Sequence, residues 1–310
     1  MSNDVRVLLI AGLGRSGSTL IDRALGQPAA CLSLGEVVRL WERGLRENAL
    51  CACGSDFRSC AFWGPVGDAA FGGWDRLDAD VILALQRRVD RTRFIPQMIT
   101  GLGRRYRRAQ RDYAQVLTKL YRGFVDTTGA RLVIDSSKDL STTFLLRSIP
   151  GIELKVVHLV RDPRAVAYSW TRHVSKPGAG AEMDRYAPAV VGLRYLFTNV
   201  MLHLLTLLRT PRRFLRYEDF VAHPAAATAE LLGFAGATPA DLGFIEGTTL
   251  HLDPHHSVGG NPMRFSRGAV EVRLDDRWRK ALPRRDRVIV TTLTWPLLLA
   301  YRYAGPGTRS

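Results

Sequence analysis

The sharpest chemical signal lies in Gly12–Leu20, which reads GLGRSGSTL and sits between an apolar run and an amphipathic one. In that setting a glycine-rich loop acts on phosphate. Gly14 and Gly17 let the backbone curl so that successive N–H groups converge on an anion. Ser16, Ser18 and Thr19 add hydroxyl donors, and the start of the following helix adds a partial positive charge. The spacing Gly12-x4-Gly17-Ser18-Thr19 is that of a Walker A loop with Ser18 in the lysine's place. NTPases set that lysine on the β- and γ-phosphates and the next hydroxyl on Mg²⁺. No strand-end aspartate follows in the Walker B manner, because VVHLV runs into Arg161 and Asp162. With Arg15 at its centre, the loop suits a phosphate group without a metal-bound triphosphate.

A second cluster is CACGSDFRSC, which holds Cys51, Cys53 and Cys60; Cys31 lies upstream. Such a cluster can form part of a zinc site with Cys31 or a histidine as fourth ligand. It lacks paired Cys-x-x-Cys knuckles, so free thiols or one loop disulfide is the favoured reading, and no metal ligand is assigned.

Elements must position these groups. VRVLLIAG (Val5–Gly12), RLVIDSS (Arg131–Ser137), LKVVHLV (Leu154–Val160) and RRFLRYED (Arg212–Asp219) read as strands. Continuous apolar runs of this kind suit a parallel sheet covered on both faces. Helical patterns follow: STLIDRALG, ended by Gly26, then Asp162–Thr171 and Ala225–Gly233, as βα units require. Between Glu36 and Arg131 the strand signal stops, and Asp78–Arg91 and Arg104–Thr127 are helical in period. The expectation is one domain over 1–310 of α/β class: a P-loop-like three-layer fold with a central parallel sheet. A helical insertion at about 37–130 would cap the carboxyl edge of the sheet, where open α/β sheets bind ligands.

GLGRSGSTL resembles the 5′-phosphosulfate loop of sulfotransferases that use 3′-phosphoadenosine-5′-phosphosulfate (PAPS). VVHLVRDPRAVAYSW is similar to their 3′-phosphate motif, an arginine after a strand and a serine eight residues on, here Arg161 and Ser169. An arginine at a strand end and a serine two helical turns away can clamp one phosphate from two sides. RYEDF (Arg216–Phe220) with His223-Pro224, and HSVGGNPMRF (His256–Phe265) followed by WRKAL, extend the resemblance toward a bacterial branch.

This resemblance implies a sulfuryl transfer from PAPS to a hydroxyl, with no metal requirement and 3′-phosphoadenosine-5′-phosphate (PAP) as product. It places Gly14, Arg15, Ser16, Gly17, Ser18, Thr19, Arg161 and Ser169 at the donor. Ser257, Asn261 and Arg264, with Arg267 as a substitute, would join them from the C-terminal loop. By similarity to protein-tyrosine sulfotransferases, Lys138 in DSSKD adds a cation at the leaving group beside Arg15. Glu36, in LGEVV, stands at the matching distance from Arg15 to be the base. His256, His255 and His173 remain alternative bases.

The chain has 310 residues, 46% hydrophobic and 24% charged, which excludes the disordered class. Its net charge of +15 is carried almost wholly by arginine and attracts anions. Two alternatives compete: a Mg²⁺-dependent small-molecule kinase, and a nucleic-acid-binding module using Arg104–Arg108. The first lacks the Walker lysine; the second lacks a recognised motif, and a solvated helix face explains that run more simply. The apolar stretches Tyr195–Leu208 and Val288–Tyr301 read as buried helices, and the protein is expected to be cytoplasmic without a transmembrane segment. The acceptor is expected to be a hydroxyl-bearing small molecule, carbohydrate or lipid, with no nucleic-acid partner.

Overall fold

The computed structural model describes residues 4–174, 182–237 and 242–304. In chain order its main elements are β1 (Val5–Ala11), α1 (Ser18–Leu25), β2 (Cys31–Ser33), α2 (Trp63–Phe71), α3 (Ala79–Val89), α4 (Ile95–Thr100) and α5 (Arg104–Thr128). Then come β3 (Leu132–Lys138), α6 (Leu140–Arg147), β4 (Ile152–Val160), α7 (Pro163–Thr171), α8 (Pro188–Leu207), β5 (Arg212–Arg216), α9 (Tyr217–Ala222) and α10 (Pro224–Ala235). The chain closes with β6 (Ile245–Glu246), β7 (Thr249–Leu252), β8 (Gly268–Glu271), α11 (Trp278–Ala281) and α12 (Arg284–Ala300).

β1 to β5 form one parallel sheet in the order β2-β3-β1-β4-β5. The alternation of side chains along β1 explains why its whole apolar run is buried. Val7 and Leu9 face a cluster that includes Phe144 of α6 and Leu120, Tyr121 and Phe124 of α5. Leu8 and Ile10 face Ile21 and Leu25 of α1 and Leu231 and Leu232 of α10. Helices therefore cover both faces, which is the expected three-layer α/β fold. β6, β7 and β8 make a small antiparallel sheet.

The insertion is helical, as its sequence indicates, but most of it does not lie over the site. α5 carries Tyr113, Leu117, Leu120, Tyr121 and Phe124 on one stripe at helical spacing, and that stripe packs on the sheet. Trp41, Phe57 and Trp63 are buried in the same core. Only the turns from Glu36 to Glu47, together with Thr92, reach the cleft described below. Arg104, Arg105, Arg107 and Arg108 are exposed on the first turns of α5, a solvated face.

The expectation of two buried apolar helices needs correction. α8 buries Val191, Tyr195, Leu202 and Leu205 but leaves Leu193, Val200 and Leu207 exposed. α12 likewise exposes Trp295 and Leu299. Among the described residues α8 is the one helix long and apolar enough to cross a membrane, and 33% of its apolar window is buried.

Candidate active site

A cleft of about 960 Å³ opens at the carboxyl ends of β1, β3 and β4. β1 is where the strand order reverses, the position at which open α/β sheets bind ligands. The loop after β1, the end of β3, Arg161 just after β4, the end of α7, α8 and the segment Gly259–Asn261 all contribute to its walls.

The loop is held by packing from outside. Gly17 has φ 89°, and a Cβ there would stand 2.2 Å from the Tyr217 ring, so neither the conformation nor the space admits a side chain. Ser18 then opens α1. The Trp170 indole N–H donates to the Gly14 carbonyl at 3.0 Å, and the Arg15 guanidinium lies 5.3 Å from the Trp170 ring centre. Arg161 stacks over Tyr217 at 4.9 Å and donates to the carbonyls of Arg15 at 3.3 Å and Asp275 at 3.2 Å. Burial, and secondarily Arg172, hold the Arg15 guanidinium below its ordinary value.

Arg15 Nη2, Arg161 Nε and Ser16 Oγ are buried without a hydrogen-bond partner. A buried unsatisfied polar group costs about 1–3 kcal/mol. Two unpaired guanidinium N–H groups beside a helix N-terminus and a glycine loop fit an anion of the phosphate class. Gly14, Arg15, Gly17, Ser18, Thr19, Arg161 and Ser169 line the cleft, whereas Ser16 is turned inward.

In the same cleft, Lys138 Nζ meets Glu36 Oε1 at 2.5 Å, and Arg39 Nε lies 3.8 Å from Glu36 Oε2. A bulge makes this possible. β1 Leu9 pairs with Asp135, but Ala11 pairs with Lys138, so β3 holds one extra residue and Lys138 sits at φ 64°. Asp135 organises the bulge: its Oδ1 accepts from Ser137 N at 2.7 Å and Ser137 Oγ at 2.5 Å, and its Oδ2 from Tyr121 Oη at 2.6 Å. Ser137 Oγ in turn accepts from Val38 N at 3.0 Å, and Ser136 N donates to the Gly35 carbonyl at 2.8 Å. The turn bearing Glu36 is thereby tied to the strand end bearing Lys138. Gly35, at φ 66°, lies against Ser257, which a Cβ would approach to 2.8 Å.

The sequence profile of the Sulfotransferase family matches residues 8–241, which spans the loop, Lys138, Arg161 and Ser169. The chain belongs to the sulfotransferase family. Human carbohydrate sulfotransferase 5 is 29% identical over 202 residues, 57% of this chain and 43% of that protein. The chain thus matches less than half the length of this curated relative. Among solved structures, the sulfotransferase domain from the olefin synthase of Synechococcus PCC 7002 superposes with a TM-score of 0.53 at 19% identity, covering 97% of this chain and 95% of that one. That likeness bears on the fold.

Not every sulfotransferase motif residue faces the cleft. Asn261 does, and its side chain also caps the turn Pro262–Phe265 by accepting from Met263 N. Ser257 is fully buried, and Arg264 spends its guanidinium on the carbonyls of Ser257 at 2.5 Å and Leu50 at 2.9 Å. Arg267 likewise donates to the Cys53 carbonyl at 2.6 Å. These three hold the C-terminal loop to the insertion. The alternative bases also lie elsewhere: His173 is exposed and paired with Glu182, His255 meets Ser257 Oγ at 3.2 Å, and His256 points at Cys51 and Cys60. Burial, reinforced by Arg23, pushes His255 down to about 3.

The cleft also contains residues that the motif reading passed over. Arg39, Asp139, Tyr217, Arg194 and Phe197 all line it. Burial pushes the Asp139 carboxyl up, opposed mainly by Arg39. Trp170 and Tyr217 lie inside the motifs VVHLVRDPRAVAYSW and RYEDF, and an aromatic beside a phosphate-loop partner was the available signal. Arg194 and Phe197 come from α8, whose sequence reads only as an apolar helix.

Proposed function

We propose that this chain transfers a sulfuryl group from PAPS to a hydroxyl acceptor, with Glu36 as the base. The observation that carries the reading is the Lys138–Glu36 pair at 2.5 Å, in the same cleft as a phosphate loop whose Arg15 and Arg161 hold buried, unpaired N–H groups. Gly14, Gly17, Ser18 and Thr19 would hold the 5′-phosphosulfate, and Arg161 with Ser169 the 3′-phosphate. The bound donor supplies the sulfuryl group, whose bond to the bridging phosphate oxygen breaks as the acceptor oxygen bonds to sulfur. Lys138 and Arg15 stabilise the negative charge left on that oxygen. Glu36 takes the hydroxyl proton. Arg15 and Lys138 would thus serve the leaving oxygen and Glu36 the attacking one in a single in-line displacement.

The test is calorimetric titration of PAP into wild type and Arg161→Ala without added Mg²⁺. Removing a charged hydrogen-bonding partner costs about 1.5–3 kcal/mol, so roughly ten- to hundred-fold weaker binding is expected in the variant. Absence of PAP binding, together with Mg²⁺-dependent ATP binding, would overturn the reading in favour of a kinase. An acceptor panel would begin with carbohydrates, which the name of the human relative suggests, and extend to phenols and lipids.

A further inference from the structure

Away from the cleft, Cys51, Cys53 and Cys60 of the insertion converge with His256 of the C-terminal loop, and their four ligand atoms lie within 4.8 Å of one another. Cys31 takes no part; it is buried in β2. We propose that these four side chains form a structural zinc site that clasps the insertion to the C-terminal loop.

The distances support a metal over the other uses of such a cluster. Zn–S bonds of about 2.3 Å and Zn–N bonds of about 2.0–2.1 Å at tetrahedral angles put sulfurs about 3.8 Å apart and sulfur and nitrogen about 3.5 Å apart. Here Cys53 and Cys60 sulfurs are 3.6 Å apart, and His256 Nδ1 lies 3.6 Å from Cys51 Sγ and 3.3 Å from Cys60 Sγ. A disulfide needs its sulfurs at about 2.05 Å, and it would leave the third thiol and the aimed imidazole nitrogen without a role. A tetrahedral ion uses all four groups at once.

The surroundings suit the ion. The backbone N–H of Cys53 faces the Cys51 sulfur, and that of Ser55 faces the Cys53 sulfur. Phe62 stacks on the His256 ring at 4.8 Å and 7°, fixing its plane. Three thiolates and one Zn²⁺ leave a net negative charge, and Arg264 and Arg267 donate to the carbonyls of Leu50 and Cys53 beside the cluster. Soft thiolates select zinc over harder divalent ions, and a full set of four protein ligands marks a structural site. Its use follows from where it sits. His256 leads directly into Gly259 and Gly260, which pack on Glu36 and Arg39.

The test is zinc analysis of the full chain purified under reducing conditions, followed by Co²⁺ titration of the reduced apoprotein. Expected are one zinc per chain and the intense visible bands of tetrahedral cobalt thiolate. Cys60→Ser and His256→Ala should lose the bound metal, and Cys31→Ser should keep it. Zinc-free protein whose apo form takes up neither ion, or metal retained in Cys60→Ser and His256→Ala but lost in Cys31→Ser, would overturn the proposal. The cobalt titration uses wild type, so it decides even if the variants fold poorly. Metal content reads the site whatever reaction the cleft performs.

Discussion

Glu36 stands between Lys138 at 2.5 Å and Arg39 at 3.8 Å, an arrangement that orients the carboxylate while leaving it charged neighbours on both sides. Glu36→Gln preserves the shape and removes the proposed proton acceptor. Turnover should fall roughly 10²- to 10⁴-fold, with PAP affinity changed little, as read by steady-state rates and calorimetry on the same preparation. Undiminished turnover would move the base to Asp139, the other carboxylate beside Lys138. The loop, Lys138, Arg161 and Glu36 were legible because each lies on a motif with fixed spacing. Ser257 and Arg264 lie off the cleft for a physical reason. A polar side chain in a glycine-rich segment serves a ligand or a backbone carbonyl equally well, and only packing decides which. Arg264 spends its donors on backbone carbonyls, and the Ser257 hydroxyl meets His255 Nε2.

Short elements explain what the sequence hid. β2 has three residues and β6 two, too few for alternation to register, whereas the long runs of β1, β3 and β4 announced themselves. The β3 bulge was equally invisible, since an extra residue in a strand leaves no compositional mark. One junction among these elements makes a pH prediction. Asp22 of α1 is buried, and its Oδ2 accepts from Ser33 Oγ of β2 at 2.5 Å. Burial pushes its carboxyl from 3.8 up to about 7. Between those values the folded chain holds a proton that the unfolded chain has released, so wild-type stability falls as pH rises through that window and is level above it. Asp22→Asn lacks this loss. Its unfolding free energy, read by urea titration, should therefore gain on wild type by up to roughly 1.4 kcal/mol per pH unit between about pH 4 and 7. A pH-independent difference between the two proteins would show that Asp22 does not titrate with folding.

Across the whole molecule, the net charge of +15 draws in anionic donors, but the cleft mixes signs, with Glu42, Glu47 and Asp184 on its walls. Charge should therefore govern encounter more than residence. Stopped-flow association of PAP should slow roughly tenfold or more from low to high salt, while dissociation changes less. Equal salt effects on both rates would place the charge within the bound contacts instead. The three-layer plan was legible from alternating strand and helix patterns, but the path of the insertion was not. Amphipathic periodicity says that a helix buries one face, without saying against which surface.

The sheet order has a consequence for how the chain is made. β1 is synthesised before the other strands of its sheet yet ends in the middle of it, between β3 and β4. On the ribosome, Val5–Ala11 emerges as an apolar strand with no neighbour until Leu132 has been added. Through that interval only its own segment and the growing insertion can shield it, which exposes the nascent chain to aggregation. β2 shares that wait, since its own partner is β3, whereas β4 and β5 arrive to find a partner already present. The order in which these strands are joined thus leaves β1 and β2 waiting together for β3, their common neighbour.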